Sequence, residues 1–429
     1  MIRFVVLCVL LVLCAGLSPA FAQNDEGMPQ ISAGDTAWVL TSSALVLAMT
    51  APGLVLFYGG MVRGKNVLGT MMHSFIALCL VSVVWVLWGY SLAFAPDIGG
   101  VVGGLDWVGL NDVGTDPYPD TAIPHLAFMV FQLMFAVITV ALITGSFAER
   151  MKFSAFLCFV ILWSTFIYSP LAHWVWGGGW LGDLEVLDFA GGTVVHISSG
   201  VAALTCALVL GRRTGYGKEH MAPHNLPLTV TGACLLWVGW FGFNAGSALA
   251  ADGTAASAFV ATNTASAAAA LAWMVAEWIY RGRPTMLGVA SGAVAGLVAI
   301  TPAAGFVGPM SSIWIGMGAG VFCYLAVLMK NRLGYDDSLD VLAIHGIGGT
   351  WGAIATGLFA SVGGGTGLFF GNPGQVAIQA IGVVATWVFV LVGTFLILKV
   401  IDVTIGLRVN VEEEMLGLDL SQHNERGYT

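Results

Sequence analysis

The sequence predicts an all-α integral membrane protein. The expected architecture is eleven transmembrane helices, an inverted five-helix repeat plus one extra helix, with the N-terminus outside and the C-terminus inside. Three observations carry it. Of 429 residues, 58% are hydrophobic and 9% are charged, where a soluble domain carries about 25% charged residues. Apolar runs near the 20 or so residues that cross a bilayer recur eleven times. The basic residues fall only in alternate loops and at the C-terminal end. So few charges cannot cover a water-facing surface of this size, so most of the surface faces hydrocarbon. No basic patch or tail supports nucleic-acid binding.

The elements follow in chain order. Met1-Ile2-Arg3 is a short basic start, Phe4 to Leu17 is apolar, and Ser18 to Ala22 ends in a small-x-small pattern. Residues 1–22 therefore read as a signal peptide, with an uncleaved first helix as the alternative. Cleavage would leave the mature N-terminus outside. The spans lie near 35–60, 66–95, 122–147, 152–170, 190–211, 226–249, 257–280, 285–303, 309–330, 340–361 and 375–402. Residues 23–407 form the transmembrane domain and 408–429 a cytoplasmic tail. Arg63, Lys65, Arg150, Lys152, Arg212, Arg213, Lys218, Arg281, Arg283, Lys330 and Arg332 mark one set of loops as cytoplasmic. The opposite loop from Asp97 to Asp120 carries Asp97, Asp106, Asp112, Asp116 and Asp120 and no basic residue. These features place the protein in the cell's inner membrane.

Small residues are abundant. Gly288, Gly292 and Gly296 stand four apart in one span, Gly239, Gly242 and Gly246 line another, and Gly346, Gly348, Gly349 and Gly352 a third. They let helix backbones approach where lipid supplies no hydrophobic drive. Outside the signal peptide the cysteines stand singly in apolar runs with no metal-ligand spacing, so they read as packing residues, and no metal or cofactor is expected. A faint repeat joins Leu187-Asp188 through His196 to Leu339-Asp340 through His345. Five spans separate the two, so an odd repeat would invert the halves and place a site between them.

Ionisable residues inside a bilayer are costly and point to function. A lone buried histidine is usually a satisfied core residue. Two of them, His196 and His345, at matching places in a repeat point instead to a solute path. Each neutral imidazole offers one donor and one acceptor. Asp188 before a glycine-rich helix start reads as an N-cap, and it could also favour a cation nearby. Phe131 and Phe135 stack at i, i+4. Trp240-Phe-Gly-Phe243-Asn-Ala-Gly-Ser247 sets aromatic, small and hydroxyl side chains on successive turns. Taken alone, these are packing patterns. Interfacial tryptophans are common membrane anchors, which suits Trp174 and Trp180.

At this point the chain closely resembles the ammonium transporter family (Amt/MEP/Rh), its bacterial Amt branch most closely. The carrying segments are Phe57 to Gly60 with Arg63 to Asn66, Ala148-Glu-Arg150, His173 to Gly179, Asp188 to His196, Pro223 to Pro227, Gly239 to Ser247 and Asp340 to Gly349. They run in family order over essentially the whole mature chain. The resemblance implies that Trp176, Phe135 and Ser247 recruit ammonium at an outer site. It implies that Phe135 and Phe243 are the stacked rings closing the pore, and that His196 and His345 are the twin histidines of the lumen. Asp188 and Trp240 match residues for support and deprotonation. It further implies a homotrimer, ammonium and ammonia as the transported species with methylammonium left open, and a PII-type regulatory protein at the cytoplasmic face. The tail bears on that partner: His423-Asn-Glu-Arg-Gly-Tyr428 departs from the family's usual His-Gly-Glu-x-Ala-Tyr.

A sensor of the same fold is the competing function, and the short tail disfavours it, since such sensors usually carry an added signalling domain. A membrane enzyme is unsupported, with no nucleophile–base set or phosphate loop. The passage of ammonia and a proton separately, with net charge movement, is the expected mechanism, and electroneutral ammonia passage is its rival.

Overall fold

The computed structural model describes residues 30–428; the predicted signal peptide lies outside the described residues. The helical elements are α1 (Ala33–Met61), α2 (Gly64–Phe94), α3 (His125–Ile143), α4 (Phe153–Asp183), α5 (Gly192–Leu210), α6 (Leu226–Gly246), α7 (Gly253–Arg281), α8 (Met286–Ile300), α9 (Pro309–Leu333), α10 (Leu342–Phe359) and α11 (Gly374–Thr404). All of these except α8 are long and apolar enough to cross a membrane, ten helices among the described residues. The tail adds α12 (Val411–Leu416) and α13 (Leu418–His423). A small hairpin of β1 (Asp97–Ile98) and β2 (Val102–Gly103) follows α2.

The helix α8 is short for a local reason. Pro302 lacks an amide proton and cannot extend a helix past its first turn, so α8 stops at Ile300 after 15 residues. A run of turns from Thr301 to Phe306 continues the chain in the same direction of burial. In α1, Pro52 is accommodated by a π-type widening over Met49–Leu54. Similar widenings in α5 and α10 span Gly192–Ile197 and Leu342–Ile347. Such widenings inside helices gather at functional sites.

Packing sorts the helices. Of their most apolar windows, 89% of α3 and 83% of α5 are buried, against 39% of α2, α9 and α11. The central pair is enclosed by protein. The others present Phe75, Phe166, Val388 and Phe395 outward, as a lipid-facing surface requires. Small residues bring α7, α8 and α9 together: a side chain added at Gly292, Gly296, Gly316 or Gly320 would strike Ala265, Ala269 or their neighbours. Helix α5 crosses α10 closely as well. There a methyl group added to Gly200 would overlap the backbone of Gly346.

One end of the bundle carries the tail and a buried ionic cluster. Glu149 pairs with Arg63 at 2.6 Å and lies 3.5 Å from Arg213, which pairs with Asp336 at 2.8 Å. The tail folds under these loops. Arg408 pairs with Glu414 at 2.7 Å, the amide of Thr214 donates to Glu414 Oε1 at 2.6 Å, and the amide of Gly69 donates to Asp419 Oδ1 at 2.8 Å.

A Gly200→Ala substitution therefore has no room at the α5–α10 crossing. It is expected to cost about 1–3 kcal/mol, the range for overpacking a filled core. A thermal midpoint for the purified variant equal to that of the parent would refute the crossing as described.

Candidate functional site

The site begins at the end of α5 away from the tail. Asp188 precedes that helix and holds its first turn. Its Oδ1 accepts the amides of Gly191 at 2.8 Å and Gly192 at 2.6 Å. Its Oδ2 accepts the amide of Thr193 at 2.7 Å, the Thr193 hydroxyl, and the amide of Val194 at 3.4 Å. A carboxylate is well placed among the orphan amides and positive dipole of a helix N-terminus. Gly191 has φ +111, a conformation that suits glycine. Its carbonyl accepts the amides of both Val195 and His196, which opens the helix by a residue and carries His196 into the bundle centre. The α11 side chain Gln379 braces this turn, taking the Leu187 amide and donating to the Leu187 carbonyl, both at 2.8 Å.

The predicted residues then line up as a file of rings. Trp176 donates its indole N–H to the Asp188 carbonyl at 2.9 Å, which sets the ring plane. The Trp176 ring lies edge-on to Phe135, with centroids 5.8 Å apart. Phe135 of α3 and Phe243 of α6 pack at 4.3 Å. Ser247 sits one turn past Phe243, part-exposed, its hydroxyl donating to the Phe243 carbonyl at 2.9 Å. Beyond Phe243, His196 is stacked at 6.0 Å and His345 at a further 5.3 Å. The two imidazoles meet through Nδ1 and Nδ1 at 3.3 Å. Trp240 flanks His196 at 5.4 Å.

Next to the histidines lies an enclosed cavity of about 10 Å³, lined by Met49, Leu54, Ile138, Trp240, His196 and His345 among others. That is room for about one water-sized solute. Apart from the two imidazoles and one indole its walls are apolar. A wider vestibule of about 220 Å³ opens from His345 past Ile344, Tyr324 and Asp340 toward Glu277 and Arg281 at the tail end.

The arrangement thus comprises an aromatic cluster, a packed ring pair, an apolar chamber with two imidazoles, and a more polar vestibule. A sequence profile described as the Ammonium Transporter Family matches residues 37–428. The chain belongs to the ammonium transporter family. An ammonium transporter of Bacillus subtilis (strain 168) is 56% identical to it over 404 residues, covering 92% of this chain and 98% of that one. The crystal structure of Candida albicans Mep2 matches with a TM-score of 0.85 at 37% identity, over 93% of this chain and 91% of that one. A solved sensor Amt protein matches with a TM-score of 0.85 at 29% identity, over 91% and 98%. In this member of the ammonium transporter family, the rings of Trp176, Phe135, Phe243, His196, His345 and Trp240 form one contiguous cluster in the bundle.

One pairing predicted from sequence shifts by a turn. The reading set Asp340 against Asp188. In the structure Asp337 holds the start of α10, accepting the Leu342 amide on Oδ2 at 2.8 Å. Asp340 instead faces Lys330 at 2.5 Å. Asp337 precedes His345 by the same eight residues that separate Asp188 from His196. The spacing was present in the sequence, hidden by a second aspartate three residues on. The other missed residue, Thr301, sits beside His196 and Trp240. Its only local signal is the proline that follows it.

Burial pushes the Asp337 carboxyl up to about 6, against the opposing pull of Lys330. The folded chain thus holds this proton more tightly than the unfolded one. Stability should fall as pH rises from the usual carboxylate range to about 6 and level off above it. Asp337→Asn keeps an acceptor for the Leu342 amide and removes the charge. It is expected to be more stable than the parent at pH 7, by up to about 3 kcal/mol, and to lose the slope between pH 4 and 6. Melting curves across that range check it; a parent whose midpoint does not move there contradicts the assignment.

Proposed function

We propose that the chain is an ammonium transporter of the cell's inner membrane with eleven spans, α8 and the turns to Phe306 forming the eighth. In this reading α1–α5 and α6–α10 are inverted halves, and α11 is the addition. The N-terminus is outside and the tail is cytoplasmic. The single observation that carries the function is the continuous file from Trp176 through Phe135 and Phe243 to the His196–His345 pair.

The chemistry follows from that file. Ammonium is recruited by Trp176, Phe135 and Ser247. A small cation on an aromatic face gains about 0.5–2 kcal/mol, enough to collect it and too little to replace its hydration. Past the rings the chamber cannot repay dehydration of a charge. Ammonium can leave its proton at the mouth and continue as ammonia, hydrogen-bonding along the histidines. Potassium has no proton to leave. Asp188 supports the mouth by fixing the α5 turn and the Trp176 ring, and its charge favours a cation there. Ammonia and a proton cross separately, so charge moves; electroneutral ammonia passage is the rival mechanism. The relatives' names support transport over catalysis. The likeness to the sensor Amt protein favours a second reading, in which the same path binds ammonium to signal. A homotrimer and a PII-type partner on the cytoplasmic tail complete the proposal, and both rest on the family resemblance.

Electrical recording on supported membranes with reconstituted protein tests this. An ammonium jump is expected to give a transient current, and a potassium jump none. Uptake of ammonia without current would replace the charge-moving mechanism by the electroneutral one, and tight binding with neither would favour the sensor. His196→Ala and His345→Ala should each admit potassium current by opening a wetted gap; a variant that stays silent to potassium removes the pair from selectivity.

A further inference from the structure

Thr301 stands where three groups converge on one hydroxyl. Its Oγ1 lies 2.8 Å from the Leu297 carbonyl, 2.9 Å from Trp240 Nε1 and 3.3 Å from His196 Nε2. A threonine hydroxyl has one proton and two lone pairs, an indole N–H only donates, and a carbonyl only accepts. Trp240 therefore occupies one lone pair. The proton goes to Leu297, because the Thr301 amide bonds Val298 instead and leaves that buried carbonyl to the hydroxyl. The remaining lone pair accepts from His196, which must carry its proton on Nε2.

The consequence passes down the pair. A neutral imidazole has one N–H, so His196 Nδ1 is bare. It faces His345 Nδ1 at 3.3 Å, so His345 donates from Nδ1. His345 Nε2 is left as the free acceptor, on a residue that lines both the chamber and the vestibule.

We propose that Thr301 is a positioning residue that orders the twin histidines into a one-way chain, His345 Nδ1–H to His196 to Thr301 to Leu297. This rests on the histidine path of the proposed function and adds a direction to it. Consider a proton passing from the Trp176 end to the tail end. It bonds to a bare His196 Nε2, the His196 Nδ1–H moves to His345 Nδ1, and the proton on His345 Nε2 leaves into the vestibule. The arrangement in the structure is the one this transfer leaves behind. Before another proton can follow, both imidazoles must exchange tautomers, and Thr301 opposes that exchange. Tryptophan 240 serves the same order by filling the hydroxyl's other lone pair.

The test is nitrogen NMR of histidine side chains in the full-length protein, reconstituted in bilayers, with His196 and His345 resonances assigned. In the parent, His196 is expected with its proton on Nε2 and His345 with its proton on Nδ1. Thr301→Val removes the hydroxyl at nearly constant volume and should replace this single arrangement by a mixture; Thr301→Ser should restore it. A parent with the proton on His196 Nδ1, or a Val variant with the parent spectrum, would overturn the proposal. Melting curves of each variant show that it is folded. Ammonium uptake by the parent in the same bilayers separates the two claims: no uptake would sink the proposed function while leaving the tautomer result standing.

Discussion

Everything at the centre of this protein depends on how closely two helix backbones pass. At the crossing of α5 and α10, Gly200 meets Gly346 with no space for a methyl group. A side chain added at Gly200 would part the helices. His345 is the neighbour of one of these glycines, and His196 is one turn before the other, so parting the helices would part the imidazoles. The contact between two hydrogen-bonding rings in an apolar interior is thus a product of the smallest residues beside them. Lipid supplies no hydrophobic drive to close such a crossing; close backbone packing must do it.

A second constraint is that buried polar groups must find partners where water is excluded. The π-type widenings and the break after α8 would each leave amides or carbonyls stranded. Asp188 absorbs four amides and a hydroxyl at one helix start, and Asp337 takes an amide at another. Gln379 of α11 ties the backbone at Leu187 to the Ala353 carbonyl of α10. The irregular backbone is tolerated because it lies inside protein, and His196 and His345 both sit within it.

The many-span helical character of the fold was legible in the sequence for simple reasons. Hydrocarbon demands long apolar runs, and cytoplasmic loops collect basic residues, so spans could be counted with a ruler of about 20 residues. The eighth run shows the limit of that ruler. Residues 285–303 read as one span, but Pro302 ends the helix at Ile300, and no length rule foresees what the broken end touches. The motifs named the residues whose rings the structure brings together, and the structure adds which atoms face which. Thr301 was not legible. Its partners His196 and Trp240 are 105 and 61 residues away, and a threonine in an apolar run has no signature of its own. Asp337 was legible in principle, through its spacing to His345, and was masked by Asp340.

The small chamber between the rings and the vestibule has an electrical meaning. In the proposed path water would reach Trp176 from one side and the vestibule from the other, so both would behave as conductors. The ring pair and the small apolar chamber would then form a thin insulator in series. A membrane voltage falls mostly across the most insulating layer, here a slab a few side chains thick rather than the whole bilayer. A charge crossing that slab exchanges nearly the full 2.3 kcal/mol or so per 100 mV, whereas a neutral molecule exchanges none. The few ångströms around His196 and His345 are therefore where the cell's voltage would be coupled to whatever charge this path carries.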